Sequence, residues 1–419
     1  MLNQRVWNFL IGCSGAFSVS FVSALDLYFL ILFFAGAVRS GTLKFREKAL
    51  RPVYLAFSLF LVAHVVSGSV NSTPAEDLFS RVYLISACTV AMLCFDRYYG
   101  ADKYHEYICL MIGAMVATAV IRFQELSLVK GDFVFKGSAE FVFTGLLLCC
   151  LLAARYKASS LIFYIVLLLF AALSLIFGAR VFFGAAILGA LVRAYMSMTF
   201  SQVRFGTVKI TRGQFIVMLC IAAALFMSTG GVATMQDVFF GVDSSNRYEK
   251  QRGELGPIVG ARVEVIGTLA AIKDRPLVGH GAWASNPGYI LYAEHMARKY
   301  GYDRTFEHSE LYSKKHRIPN HSVILGSWME AGVVAAAAWA LVLFTVLYLS
   351  VKILSGVTVS SHSGALIISI LAVVVFLFAW NLSFSSLSNG RRYYLSMTIY
   401  FVIITYRRFN VRRWADGAR

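Results

Sequence analysis

The chain has 419 residues, of which 58% are apolar and 15% aromatic, and only 15% are charged, against about 25% charged in an ordinary soluble domain. That composition excludes a disordered chain and argues against a purely soluble enzyme. The net charge of +17 would suggest nucleic acid in a soluble protein, but Lys and Arg beside long apolar runs mark the cytoplasmic edges of membrane helices, so no nucleic-acid partner is indicated.

A bilayer core about 30 Å thick takes roughly 20 apolar residues per spanning helix. Runs of that kind place spans near 6–21, 22–38, 53–70, 80–95, 106–122, 141–154 and 159–177, then near 182–200, 214–235, 330–351, 364–382 and 392–406. The fold class expected is an all-α polytopic membrane protein with about twelve transmembrane helices. Residues 6–38 read either as two spans or as one long broken helix. Arg5 ahead of the first apolar run also fits a secretory signal, but no small-residue cleavage pattern follows, and the run is taken as the first membrane segment.

Charge placement is an independent test, because cytoplasmic loops gather Lys and Arg. With the N-terminus inside, one cytoplasmic loop holds Arg39, Lys44, Arg46, Lys48 and Arg51, and another Arg204, Lys209 and Arg212. Arg155 and Lys157, and the tail with Arg407, Arg408, Arg412, Arg413 and Arg419, also fall inside. The 71–80 loop, NSTPAEDLFS, holds two acids and no base, as an outer loop does. Arg391 and Arg392 run against this pattern.

The chain therefore divides into about nine helices over 1–235, an extramembrane loop domain over 236–320, and about three helices over 321–419 ending in a basic cytoplasmic tail. The loop domain faces away from the cytoplasm and holds four of the six prolines and four of the eight histidines. Its twelve basic residues nearly balance its ten acidic ones, so most of the +17 is a topology signal and says little about substrate. Connections this long are uncommon without a function. Helical spacing of Val263, Ile266, Leu269 and Ala270 predicts a helix over 261–273. Pro276, Gly279 and Gly281 in DRPLVGHG mark a turn, and YILYAEHMARKY predicts a second helix over 289–300.

Seven cysteines lie in or beside apolar runs, so neither a disulfide framework nor a zinc set is indicated. His280, His295, His308 and His316 lack metal-ligand spacing. The chain has no P-loop, GxGxxG, HExxH or DxD pattern, so no metal and no cofactor is expected.

Chemistry is sought in a few polar residues at the outer membrane boundary. In PNHSVILGSWMEAGVV, a loop runs into an apolar helix at His321. An imidazole there can act as a general base or, protonated, as a donor to an anion, and the plainer reading is that His321 and Ser322 cap the helix. Glu330 lies within the apolar run and needs water or a partner, as an ion pair or as part of a site. Arg262 in GARVEVIG carries a donor fork suited to phosphate oxygens, or is a solvated charge. Arg180 in FGARVFFGAA stands between two apolar runs, either snorkelling or serving the same face as Arg262 and His321. His64 and Asp26 lie within apolar runs without defining a transport path.

These motifs together resemble the O-antigen ligase and polymerase family of bacterial inner-membrane glycosyltransferases. His321 and Ser322 are followed by nine residues and Gly332, the family's spacing, although Ala335 stands where Gly, Thr or Tyr is usual. GARVEVIGTLAAIKDRPLVGHG, residues 260–281, is similar to the family's GxR helix start followed by a Pro-x-x-Gly-x-Gly turn, and FGARVFFGAA to its further arginine at a periplasmic boundary.

The resemblance implies a GT-C-like fold with one large periplasmic loop. It implies an undecaprenyl-diphosphate-linked oligosaccharide as donor and metal-independent transfer to an acceptor glycolipid at the bilayer. Arg180 and Arg262 would hold the diphosphate. His321 would take the acceptor proton or be a third diphosphate donor, with Ser322 and Glu330 in support. A second lipid-linked repeat unit as acceptor makes a polymerase of O-antigen or exopolysaccharide, the expectation adopted, with a chain-length regulator as partner; lipid A core makes a ligase. A polysaccharide flippase is the reading from another class, but repeat symmetry and midplane helix breaks are not evident in the sequence.

Overall fold

The computed structural model describes residues 3–16, 18–19, 22–40, 48–126, 131–153, 159–176, 180–197, 202–205, 208–211, 254, 264–302, 317–318, 320–356, 362–385 and 389–417. Near several helix ends it describes the backbone alone. Helices dominate in chain order: α1 Gln4–Cys13, α2 Ala24–Ser40, α3 Arg51–Val70, α4 Ala75–Tyr98, α5 Tyr104–Leu126, α6 Gly131–Leu152, α7 Ser159–Ile176 and α8 Arg180–Ser197. Two short helices follow, α9 Glu264–Asp274 and α10 Pro287–Lys299, and then three long ones, α11 Val323–Gly356, α12 His362–Phe384 and α13 Asn389–Gly417.

Among the described residues, five segments are long and apolar enough to cross a membrane: Lys48–Val70, Ala75–Tyr98, Ala101–Ile121, Val323–Leu354 and Gly364–Phe384. Shorter apolar stretches occupy Ala139–Leu152, Leu161–Ser174 and Val181–Met196. The run 6–38 is two helices, not one. α1 has ten residues, about 15 Å of helix, half the thickness of a hydrocarbon core. The span expected over 214–235 lies outside the described residues.

The fold is helical as expected, and among the described residues two small antiparallel ribbons accompany the helices. Ser18–Val19 pairs with Val22–Ser23, and Gln202–Phe205 pairs with Val208–Thr211 in the basic loop after α8. The second pairs QVRF with VKIT, two runs of alternating polar and β-branched or aromatic residues with Gly206 between them in the sequence, which is a hairpin pattern.

Local chemistry sets the helix ends. α4 starts after Pro74 with Glu76 and Asp77 in its first turn and Arg97 in its last, charges that complement the helix dipole. α10 is capped by Asn286, whose side chain accepts from the Gly288 N–H at 2.8 Å, with Pro287 at its first position. α1 lies against α5 with Gly12 and Gly113 at the crossing, where a β-carbon on either would meet the other helix's backbone. Small residues permit such close packing.

Polar contacts gather at the two ends of α4. Near its start, Arg81 meets Glu330 of α11; near its end, buried Asp96 lies 3.6 Å from Arg407 of α13. Fifteen residues of helix separate these layers by about 22 Å. Much of the core between them is apolar and aromatic: Trp339 stands edge-on to Phe57 and Phe60, and the rings of Phe95, Tyr107 and Tyr400 meet at 5.1–5.5 Å. The Tyr107 hydroxyl, buried in that cluster, donates to the Met397 carbonyl at 2.6 Å, as a buried phenol requires.

Candidate functional site at the break in α11

α11 is not one continuous helix. Gly332 has φ 79° and ψ −176° within it, and a break there diverts backbone groups from their i→i−4 partners. Such groups are costly in an apolar setting unless the protein satisfies them. The turn after α9 does so. The His280 N–H donates to the Met329 carbonyl at 2.8 Å and the Gly281 N–H to the Glu330 carbonyl at 2.9 Å, while the Val333 N–H donates to the Pro276 carbonyl at 3.0 Å. The Ser67 hydroxyl of α3 also donates to the Glu330 carbonyl, at 2.7 Å, and the Trp328 indole to the Pro276 carbonyl, at 2.8 Å.

The two sequence motifs are therefore one structural unit. Pro276, Gly279 and Gly281 supply the turn, and Gly332 supplies the break that receives it. A β-carbon on Gly332 would meet the Leu277 carbonyl, and one on Gly279 would lie 2.6 Å from the Glu330 backbone. Beneath the turn, Ala271, Ile272, Ala284, Ile318 and Met329 form a small apolar cluster joining α9 to α11. On the flank of the turn the Tyr289 phenol donates to Asp274 at 2.6 Å. Burial, then the carboxylate beside it, pushes its pKa up to about 12, so it remains a donor at neutral pH.

Glu330 is buried at the break. The Arg81 guanidinium lies 2.6 Å from one of its carboxylate oxygens and His64 Nε2 3.5 Å from the other. Arg81 also lies over the Trp283 ring at 3.8 Å, and Arg317 lies against the same ring at 4.3 Å while pairing with Asp77 at 3.2 Å. The Trp283 indole donates to Ser80 at 2.8 Å. Guanidinium groups stack well on aromatic faces, and here they tie α4 to the loop domain. Of the two readings open for Glu330, an ion pair is what its contacts form.

His321 and Ser322 stand before the first turn of α11. The Ser322 hydroxyl accepts from the Leu325 N–H at 3.1 Å, an N-cap contact, and donates to the Leu382 carbonyl of α12 at 3.3 Å. His321 Nε2 lies 3.5 Å from Oε1 of Glu264, the first residue of α9; the imidazole is 36% exposed and the carboxylate 10%. Glu330 lies seven residues beyond the start of α11 at Val323, about 10 Å of helix, so the two acidic contacts are distinct. Arg180 is the first residue of α8, where the backbone alone is described, and Arg262 lies outside the described residues.

Glu264, Arg81, Trp283 and Arg317 carry no signal of this role in the sequence. Glu264 reads there as an ordinary acid opening an amphipathic helix, and Arg81 as a boundary charge; both find partners far along the chain. Among the described residues, no three His, Cys, Asp or Glu side chains come together as a metal site. A half-exposed imidazole backed by a shielded carboxylate can hold one tautomer and accept a proton at its other nitrogen.

No protein-family model matches the chain, and no curated protein matches it.

Proposed function

We propose that the protein is a membrane-embedded, metal-independent glycosyltransferase of the O-antigen ligase and polymerase type, GT-C-like with about twelve spans, in the bacterial inner membrane. It transfers a glycan from undecaprenyl diphosphate to an acceptor sugar hydroxyl on the periplasmic side, with a second lipid-linked repeat unit as acceptor. The observation that carries this reading is the docking of the Pro276–Gly281 turn into the Gly332 break. Two separate motifs of the resemblance meet there, and His321 opens the same helix.

In this reading, negative charge grows on the leaving diphosphate, and cations already in place favour the transition state over the ground state. Arg180 and Arg262 take that role, and His321 serves the acceptor. A helix broken near one membrane face, with its freed backbone satisfied by a loop, also suits a site open to that face.

The test is purified protein supplied with an undecaprenyl-diphosphate glycan, with and without lipid A core. A ladder of products from donor alone is the polymerase result. Transfer only when core is present makes it a ligase, and absence of transfer in both overturns the reading in favour of a transporter.

A further inference from the structure

We infer that the turn docked into the Gly332 break is an interfacial anchor, with Leu277 immersed in lipid and the acyl chains of the adjoining leaflet as its partner. This rests on the membrane-embedded part of the proposed function and is independent of its chemistry.

The depth of the turn follows from its contacts. Val333 belongs to Val323–Leu354 and Ser67 to Lys48–Val70, two of the segments long and apolar enough to cross a membrane. The Val333 N–H donates to the Pro276 carbonyl at 3.0 Å, and the Ser67 hydroxyl donates to the Glu330 carbonyl at 2.7 Å. The turn, the break and the last turn of α3 therefore share one level. At that level Val66 and Val70 of α3 and Val333 and Val334 of α11 are exposed. Leu277 is 72% exposed, and its own carbonyl faces Gly332. A lone exposed leucine is ordinary, but one set beside exposed valines on spanning helices continues a lipid-facing surface.

Chain outside a helix enters an apolar layer only where its backbone groups are satisfied. Pro276 has no N–H to satisfy, and its carbonyl accepts from both Val333 and the Trp328 indole. The Gly279 N–H donates to the Arg275 carbonyl at 3.1 Å, and the Gly279 carbonyl accepts from the Asn71 amide at 3.2 Å. The His280 and Gly281 N–H groups bond to the broken helix. The same segment marks the polar boundary. Exposed Arg275 donates to Asn71, the residue after α3, where a guanidinium reaches headgroups while its stem lies along apolar surface. The partly exposed Trp328 has the amphipathic ring that favours a membrane–water boundary.

The test uses the full-length protein in phospholipid nanodiscs, which leave both faces open to water. Labelling by a sulfonated maleimide is followed in Leu277→Cys, Val62→Cys and Arg298→Cys by peptide mass spectrometry, which separates each site from the native cysteines. Val62, exposed in the middle of α3, is the lipid standard, and exposed Arg298 of α10 is the water standard. The thiolate is the reactive form and apolar surroundings suppress it, so Leu277→Cys labels roughly ten-fold or more slowly than Arg298→Cys and close to Val62→Cys. Labelling at the Arg298→Cys rate overturns the inference. The second readout is photo-crosslinking with p-benzoylphenylalanine in place of Leu277 or Val62. Both positions yield an adduct carrying the mass of one phospholipid. An adduct at Val62 and none at Leu277 overturns the inference even where labelling is slow, because protein and not lipid then covers the site. Fast labelling of Val62→Cys with no adduct there contradicts the membrane-embedded reading itself, and the inference with it.

Discussion

The carbonyl of Leu277 occupies the space that a β-carbon on Gly332 would need. This contact explains the glycine that ends the second motif; Gly281, which ends the first, has φ 91° and would set a β-carbon against Thr73. The turn approaches the broken helix so closely that only hydrogen fits, and Gly332 also holds a φ of 79° that L side chains avoid.

Gly332→Ala therefore combines backbone strain with overlap against a carbonyl. We expect a stability loss of about 2 kcal/mol or more, read as a lower midpoint of thermal unfolding in detergent. Val333→Ala, beside the break but with ordinary backbone, serves as the control and shifts the midpoint less.

The Arg81–Glu330 pair makes a second prediction. Removing one partner leaves a buried charge, at a cost of about 3–5 kcal/mol, whereas removing both leaves none. Arg81→Met and Glu330→Leu should each destabilise strongly, and the double variant should recover much of the loss. A double-mutant cycle of thermal unfolding measures the coupling; additive losses would contradict the pairing.

Ser322 contributes a helix cap. Ser322→Ala should cost about 1 kcal/mol, and Ser322→Thr, which keeps the hydroxyl, should cost less. The unfolding midpoints of the two variants make the comparison.

Much of the architecture is written in the apolar runs. The helices from α3 to α8 and from α11 to α13 lie where windows of about 20 residues place them, because burial and length leave a hydrophobic run few alternatives. The short helix α9 is legible for a different reason: Val263 to Ala270 carry helical spacing, and Pro276, Gly279 and Gly281 punctuate the chain after them. The break in α11 is not legible, since Gly332 sits among small apolar residues that helices tolerate. Its existence depends on a turn arriving from elsewhere. Glu330 announces that it needs a partner, but Arg81 lies 249 residues away, and no periodicity reaches that far. Glu264 is hidden by its own ordinariness, an acid in the first turn of a helix where acids are favoured. The ribbon at 202–211 is visible in the alternation of QVRF and VKIT and is obscured by the basic loop around it.

The arginines assigned to the diphosphate lead to a prediction about geometry. A guanidinium offers a planar fork and an ammonium a point charge. Arg262→Lys should lower kcat/KM for the lipid-linked donor by roughly ten-fold or more, measured with the protein at equal abundance in the membrane. Full activity would assign the residue a charge role without fork geometry.

The central claim is that His321 serves glycosyl transfer from an undecaprenyl-diphosphate donor. The most direct measurement is the release of undecaprenyl diphosphate during transfer by purified wild-type protein and by His321→Ala protein folded to the same extent. We expect release in step with product for the wild type and a fall of roughly 100-fold or more in the variant. Release at the wild-type rate by His321→Ala, or none by the wild type, would contradict it.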